Sequence, residues 1–137
     1  MTRQGIGRIQ LSWKATSRLL LQAGYNRDLF FSIYGDNVYY LESNRGLQSI
    51  FYLNRSLGLE AAYESFRLLF PVVDPTLGPL YDESRLDVIR LFRAGVRIRL
   101  QARSAMSFGV GLRRRVSNLP GIDDNQFLIM TGVETLF

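Results

Sequence analysis

At 137 residues, 47% of them hydrophobic and none of them Cys or His, the chain is long enough for one domain but holds neither a disulfide framework nor the commonest general base. Seventeen basic residues against twelve acidic ones give a formal charge of +5, and every basic residue except Lys14 is Arg. Those arginines alternate with Leu, Val and Phe, which argues against nucleic acid as a partner, and no stretch reaches the ~18 consecutive apolar residues of a spanning helix.

The opening "MTRQGIGRIQ" has no apolar core of the kind a secretory signal peptide needs. From residue 5 to 13, "GIGRIQLSW" alternates Ile9, Leu11 and Trp13 against Arg8, Gln10 and Ser12, the period of a strand with one apolar face. After "KATS", the stretch "SRLLLQAGY" starts a strand over 18–33 with Leu19, Leu21, Ala23 and Tyr25 on one parity and Gln22, Gly24 and Asn26 on the other. A "YGDN" hairpin follows, with Phe30, Phe31, Tyr34, Tyr39 and Tyr40 around it; rings there suit the outer interfacial girdle of a membrane barrel better than a sugar-stacking channel mouth.

The strand expected over 38–53 is irregular, since Leu47, Phe51 and Leu53 share a parity with Ser49 while Ile50 and Tyr52 sit opposite. Beyond "NR", the strand over 56–69 repeats the earlier unit as "RSLGLEAAY": Leu57, Leu59, Ala61 and Tyr63 against Gly58, Glu60 and Glu64. A long connection, "PVVDPTLGPLYDES" (71–84), carries three of the four Pro residues. Over 85–100, Phe92, Ala94, Val96, Ile98 and Leu100 alternate with Arg93, Gly95, Arg97 and Arg99. Arg90 breaks this pattern by falling on the apolar parity, where it needs a bulge or a height near lipid headgroups.

A third copy of the unit, "RSAMSFGVGL", opens the strand over 104–116, with Met106, Phe108, Val110 and Leu112 against Ser107, Gly109, Gly111, Arg113 and Arg115. The last strand, 125–137, sets Phe127, Ile129, Thr131, Val133, Thr135 and Phe137 against Gly132 and Glu134. Connections alternate between short turns and mostly longer loops. The expectation is an all-β fold, an antiparallel up-and-down transmembrane β-barrel with about seven strands and one polar parity facing inward. An odd strand count without a signal peptide further suggests that 1–137 is a single β-barrel segment, the C-terminal part of a larger barrel in the outer membrane.

The inward parity collects the candidate lumen residues Arg93, Arg97, Arg99, Arg113 and Arg115, with Glu60, Glu64, Asp87 and Glu134 as partners. Two readings stand level: a cationic wall that holds carboxylate or phosphate groups of a passing solute, or an Arg and Glu ladder that neutralises and stiffens the wall. Trp13 and Tyr52, near the short turns, suit the opposite girdle. Asp74, Asp82, Glu83, Asp123 and Asp124 read as solvated loop residues, with no calcium-loop spacing. Without His or a Ser-x-x-Lys motif around Lys14, no catalytic residues, cofactor or metal are expected.

The closing "FLIMTGVETLF" resembles the C-terminal signal of bacterial outer-membrane β-barrel proteins, with Phe137 last and Gly132 five residues before it; Thr135 departs from that pattern. The resemblance implies recognition by the barrel-assembly machinery. Up-strands opening on Ser after a turn, the "SRLD" of Ser84 to Asp87, "GVRIRL" and "GVGLRRR" resemble the C-terminal part of the β-barrel porins encoded near exopolysaccharide-synthesis genes. Implied is an outer-membrane pore or export component for small or anionic solutes or polysaccharide, surrounded by outer-membrane lipid and lipopolysaccharide. The alternative is a structural or translocator barrel that anchors or passes another polypeptide.

Overall fold

The computed structural model describes residues 6–31, 39–70, 84–101 and 104–135. Within them lie seven strands, β1 (Gly7–Lys14), β2 (Leu19–Phe31), β3 (Tyr39–Tyr52), β4 (Leu57–Phe70), β5 (Arg85–Gln101), β6 (Ser104–Ser117) and β7 (Asp124–Thr135). They form one sheet in chain order, each strand antiparallel to the next, so the expected count and up-and-down order are both present. β1 and β7 are the two edges and do not pair with each other. No helix among the described residues is long and apolar enough to cross a membrane, which leaves strands out of account.

Register keeps the two parities apart from edge to edge. Gln10, Gly24, Gly46, Glu64, Leu91, Arg113 and Gln126 follow one another across the seven strands as directly paired residues. One position along, the next row is Leu11, Ala23, Leu47, Tyr63, Phe92, Leu112 and Phe127, apolar throughout. A slip of one residue at any strand would exchange the two faces of that strand, so burial of either face fixes the register. Tyr63 and Phe92 add a cross-strand aromatic contact at 4.7 Å between ring centroids.

The polar face is the inner, concave one: its side chains are mostly half-buried and reach one another over a strand, as Arg97 does to Glu134, while the large apolar side chains opposite stand mostly exposed. Its glycines let neighbouring backbones close together: Gly95 and Gly109 pair directly, and a Cβ on Gly95 would lie 2.6 Å from the Phe108 carbonyl oxygen. Large side chains on the other face splay outward, with Leu11 66%, Ile129 80% and Val133 73% exposed. Among the described residues only Leu41, Ile50 and Phe70 are buried hydrophobics. A water-soluble domain hides its large aliphatic side chains in a core; this sheet displays them on one continuous surface.

Two irregularities resolve in ways the sequence left open. Arg90 sits in unbroken register between Ser65 and Arg114, without a bulge, whereas the register shift on β5 lies between Arg99 and Gln101. Ile50, on the polar parity of β3, is 4% exposed because Gly58 leaves room for it, its Cγ2 being 3.4 Å from where a Gly58 Cβ would stand. The turns at that end are held by side chains. Thr16 Oγ1 accepts the N–H groups of Arg18 and Leu19, and Asn54 Oδ1 accepts those of Ser56 and Leu57.

Candidate lumen wall

Because β4, β5, β6 and β7 keep strict register, their polar parity gathers charges that lie far apart in the chain. Arg93 on β5 forms an ion pair with Glu64 on β4. Arg97 forks, one arm reaching Glu60 at 3.3 Å and the other Glu134 on β7, across the intervening β6. That reach over a strand is possible because the face is concave and Ser107 and Gly109 leave the space above β6 open. Arg113 donates to Gln126 Oε1 at 3.1 Å and lies 3.5 Å from Asp124.

At the loop end of β5, Asp87 is fully buried between two guanidinium groups, Arg115 and Arg85, the latter at 2.7 Å. Both Arg85 nitrogens that face it donate hydrogen bonds, in the bidentate fork that makes Arg–carboxylate pairs strong. The same guanidinium lies 4.7 Å from the centroid of the Phe70 ring. A buried carboxylate without such partners would carry a large desolvation cost, so this triad is a fixed element of the wall.

Of the sequence-predicted wall, the structure therefore brings Arg93, Arg97, Arg113, Arg115, Glu60 and Glu64 into one ladder. Arg99 is left out of it. It lies at the foot of β5 beside the register shift, is exposed, and lines a turn-end pocket of about 660 Å³ with Lys14, Arg18, Tyr52 and Arg55. Sequence reasoning missed Arg85, Asp124 and Gln126 as members: Arg85 lies two residues from Asp87 on the same face of β5, a spacing legible along the strand, whereas Asp124 and Gln126 meet Arg113 of the neighbouring β6. Toward β1 the same face changes character. A groove there of about 260 Å³ is lined by Gln10, Gln22, Asn26, Asn44 and Gln48, with Arg8 at one edge and Glu64 at the other.

The aromatic expectations divide. Trp13 stands on the apolar face, 65% exposed, as a girdle residue must. Tyr40 does not: it pairs with Phe30 on the polar parity, stacks on the Phe30 ring at 5.5 Å and tilts against the Phe70 ring at 5.2 Å. The β2–β3 register runs unbroken to this end, so Phe30, Tyr40 and Phe70 form a shelf near the loop end of the concave side. Tyr52 likewise takes the polar parity, beside Gly58. The side chain of Tyr39, and Tyr34 as a whole, lie outside the described residues, as does Phe137. Gly132 faces the polar side, where a Cβ would meet Ser107 Oγ at 2.7 Å.

Asp123 and Asp124 are engaged internally, Asp123 accepting the Ser117 N–H and Asp124 pairing with Arg113; Asp74, Asp82 and Glu83 lie outside the described residues. Among the described residues no group of three Asp, Glu, His or Cys is placed to hold a metal ion. Comparison with family models, with curated proteins and with solved structures yields no match for this chain.

Proposed function

We propose that this sheet is part of the wall of an outer-membrane β-barrel whose concave face lines a water-filled path for small or anionic solutes or polysaccharide. The observation that carries the reading is the pair of adjacent rows: seven residues in line of which six are polar or glycine and Leu91 is the exception, then seven in line that are all apolar. Lipid on one side and water on the other satisfy that division; water on both sides does not. Closure through further strands, or through copies of the chain, belongs to the same proposal, because unpaired edges in hydrocarbon leave backbone groups without partners.

The wall so formed carries charge but little excess of either sign, since its arginines meet carboxylates. Beside that ladder lies a stretch of side-chain amides, which offer donors and acceptors to hydroxyl-rich or hydrated solutes without holding them tightly. A second reading, a structural or translocator barrel, is favoured by the ion pairing of Arg93, Arg97, Arg113 and Arg115, which a stiffening ladder requires and a solute-binding wall does not.

Planar-bilayer recordings on the intact barrel separate the two. Changing Arg93, Arg97 and Arg113 together to Gln leaves Glu60, Glu64 and Asp124 unpaired, so the ion preference of an open pore moves toward cations, and the shift fades as salt rises. A barrel that conducts nothing, or whose selectivity ignores all three substitutions, leaves the structural reading in place.

A further inference from the structure

Of the arginines outside the ladder, five share the apolar face. Arg27, Arg45, Arg67, Arg90 and Arg114 lie one on each of the five strands from β2 to β6, and register puts all of them on the apolar face. Among the described residues none of them has a carboxylate within ion-pair distance.

Their spacing is that of a belt. Arg45 pairs with Ser65, Ser65 with Arg90, and Arg90 directly with Arg114. One row toward the loops, Arg27 pairs with Ser43 and Ser43 with Arg67. Each arginine is therefore opposite or diagonal to the next, about 5–8 Å away, and like charges so placed repel. Among the described residues no carboxylate is placed to offset that repulsion.

Height identifies what does. Leu57 to Arg67 on β4, Leu100 to Arg90 on β5 and Ser104 to Arg114 on β6 each span ten residues from the turn end. At ~3.3 Å per residue and a tilt near 40°, that is a rise of roughly 25 Å, the height of the apolar band of an outer-membrane barrel. Over this span the apolar face carries no charged residue. Tyr63, Phe92 and Phe127 fill the row just beneath the belt, and Tyr25 pairs with Arg45, placing rings where an interfacial girdle belongs.

We infer that this belt binds the phosphate groups of lipid headgroups, clamping the barrel at a fixed height in the outer leaflet. Guanidinium forks suit phosphate oxygens, and each bound phosphate offsets the repulsion between neighbouring arginines. The inference rests on the membrane reading above and adds to it a lipid site on the face away from the path.

The test uses the intact barrel and its R45Q/R90Q/R114Q variant, reconstituted into phosphatidylcholine vesicles with or without lipid A, and into vesicles with dephosphorylated lipid A. Lipid retained after mild detergent extraction is measured by mass spectrometry. Wild type should retain the phosphorylated lipid preferentially, and the preference should fall about fivefold for each arginine removed. The single variant Arg114→Gln, which relieves the direct pair, serves if the triple variant does not fold. Equal retention by wild type and variant overturns the inference while leaving the membrane reading intact, as does equal retention of dephosphorylated lipid A. Inorganic phosphate that competes fully at millimolar level overturns it in favour of a soluble-anion site. Failure to enter any bilayer removes the membrane reading, and the belt's assignment with it.

Discussion

Arg90 and Arg93 stand three positions apart on β5 and are held by opposite circumstances. Arg93 points into the concave face and meets Glu64; Arg90 points out of the apolar face, faces Arg114 across the ladder and meets no acid among the described residues. The strand period decides which is which, because an odd spacing changes face. The charge of Arg93 is answered from within the protein, and that of Arg90 is left for its surroundings to answer. On the proposals above, the same kind of side chain serves a wall network on one face and a headgroup contact on the other.

The comparison breaks hardest at Asp87. Replacing it with Asn removes the anion between Arg85 and Arg115 while leaving both guanidinium groups in place, so stability should drop by about 3–5 kcal/mol, as when one member of a buried ion pair is lost. Urea unfolding of the barrel in lipid vesicles measures this; a loss below about 1 kcal/mol would show that water reaches the site freely. Phe108→Arg probes the other face well below the arginine belt, at a level where no headgroup can help. A cost of about 2–4 kcal/mol is expected in the same assay, and tolerance equal to that of an exposed loop position would refute the lipid-facing assignment.

Gly109, the neighbour of Phe108, reports on space alone. A Cβ there would lie 2.9 Å from the Ala94 carbonyl oxygen, so Gly109→Ala should cost about 1–3 kcal/mol by crowding, without dependence on lipid type. Glu134→Gln should cost least, about 0–1 kcal/mol, since Glu134 is half exposed and Arg97 keeps Glu60. Calorimetry in detergent micelles is sensitive enough to rank it below Gly109→Ala; the reverse order would mean that the fork across β6 carries more of the wall than its exposure suggests.

Deleting Phe137 tests a different property. As an assembly signal the ring should matter to the rate of insertion in cells and little to the unfolding midpoint of barrels already folded. Unchanged surface yield would leave it an ordinary interfacial residue.

Strand number, strand order and the facing of nearly every residue follow from the sequence, because a period of two in side-chain chemistry is itself the geometry of a strand. The three Ser-initiated copies over β2, β4 and β6 and the answering Arg-rich β5 are legible one residue at a time. Trp13, Arg93, Arg97, Arg113 and Arg115 could therefore be assigned a face without coordinates. The aromatic pair beside the hairpin could not: Phe30 and Tyr40 look like girdle residues by composition, yet they pair with each other on the polar parity and their rings gather with Phe70 on the concave side.

Register was the part that only tertiary structure decided. Which carboxylate meets which arginine depends on how far each strand is shifted against its neighbour, and turn lengths alone do not set that shift when the loops between β2 and β3 and between β4 and β5 are long. Hence Arg115 joined Asp87, Arg97 crossed β6 to Glu134, and Arg99 fell below the ladder beside the register shift of β5. The same shift aligned five arginines, each an isolated exception along its own strand, into one belt. A local pattern fixes the face of a side chain; only pairing between distant segments fixes its neighbours, and the neighbours determine whether a charge is neutralised or left to bind.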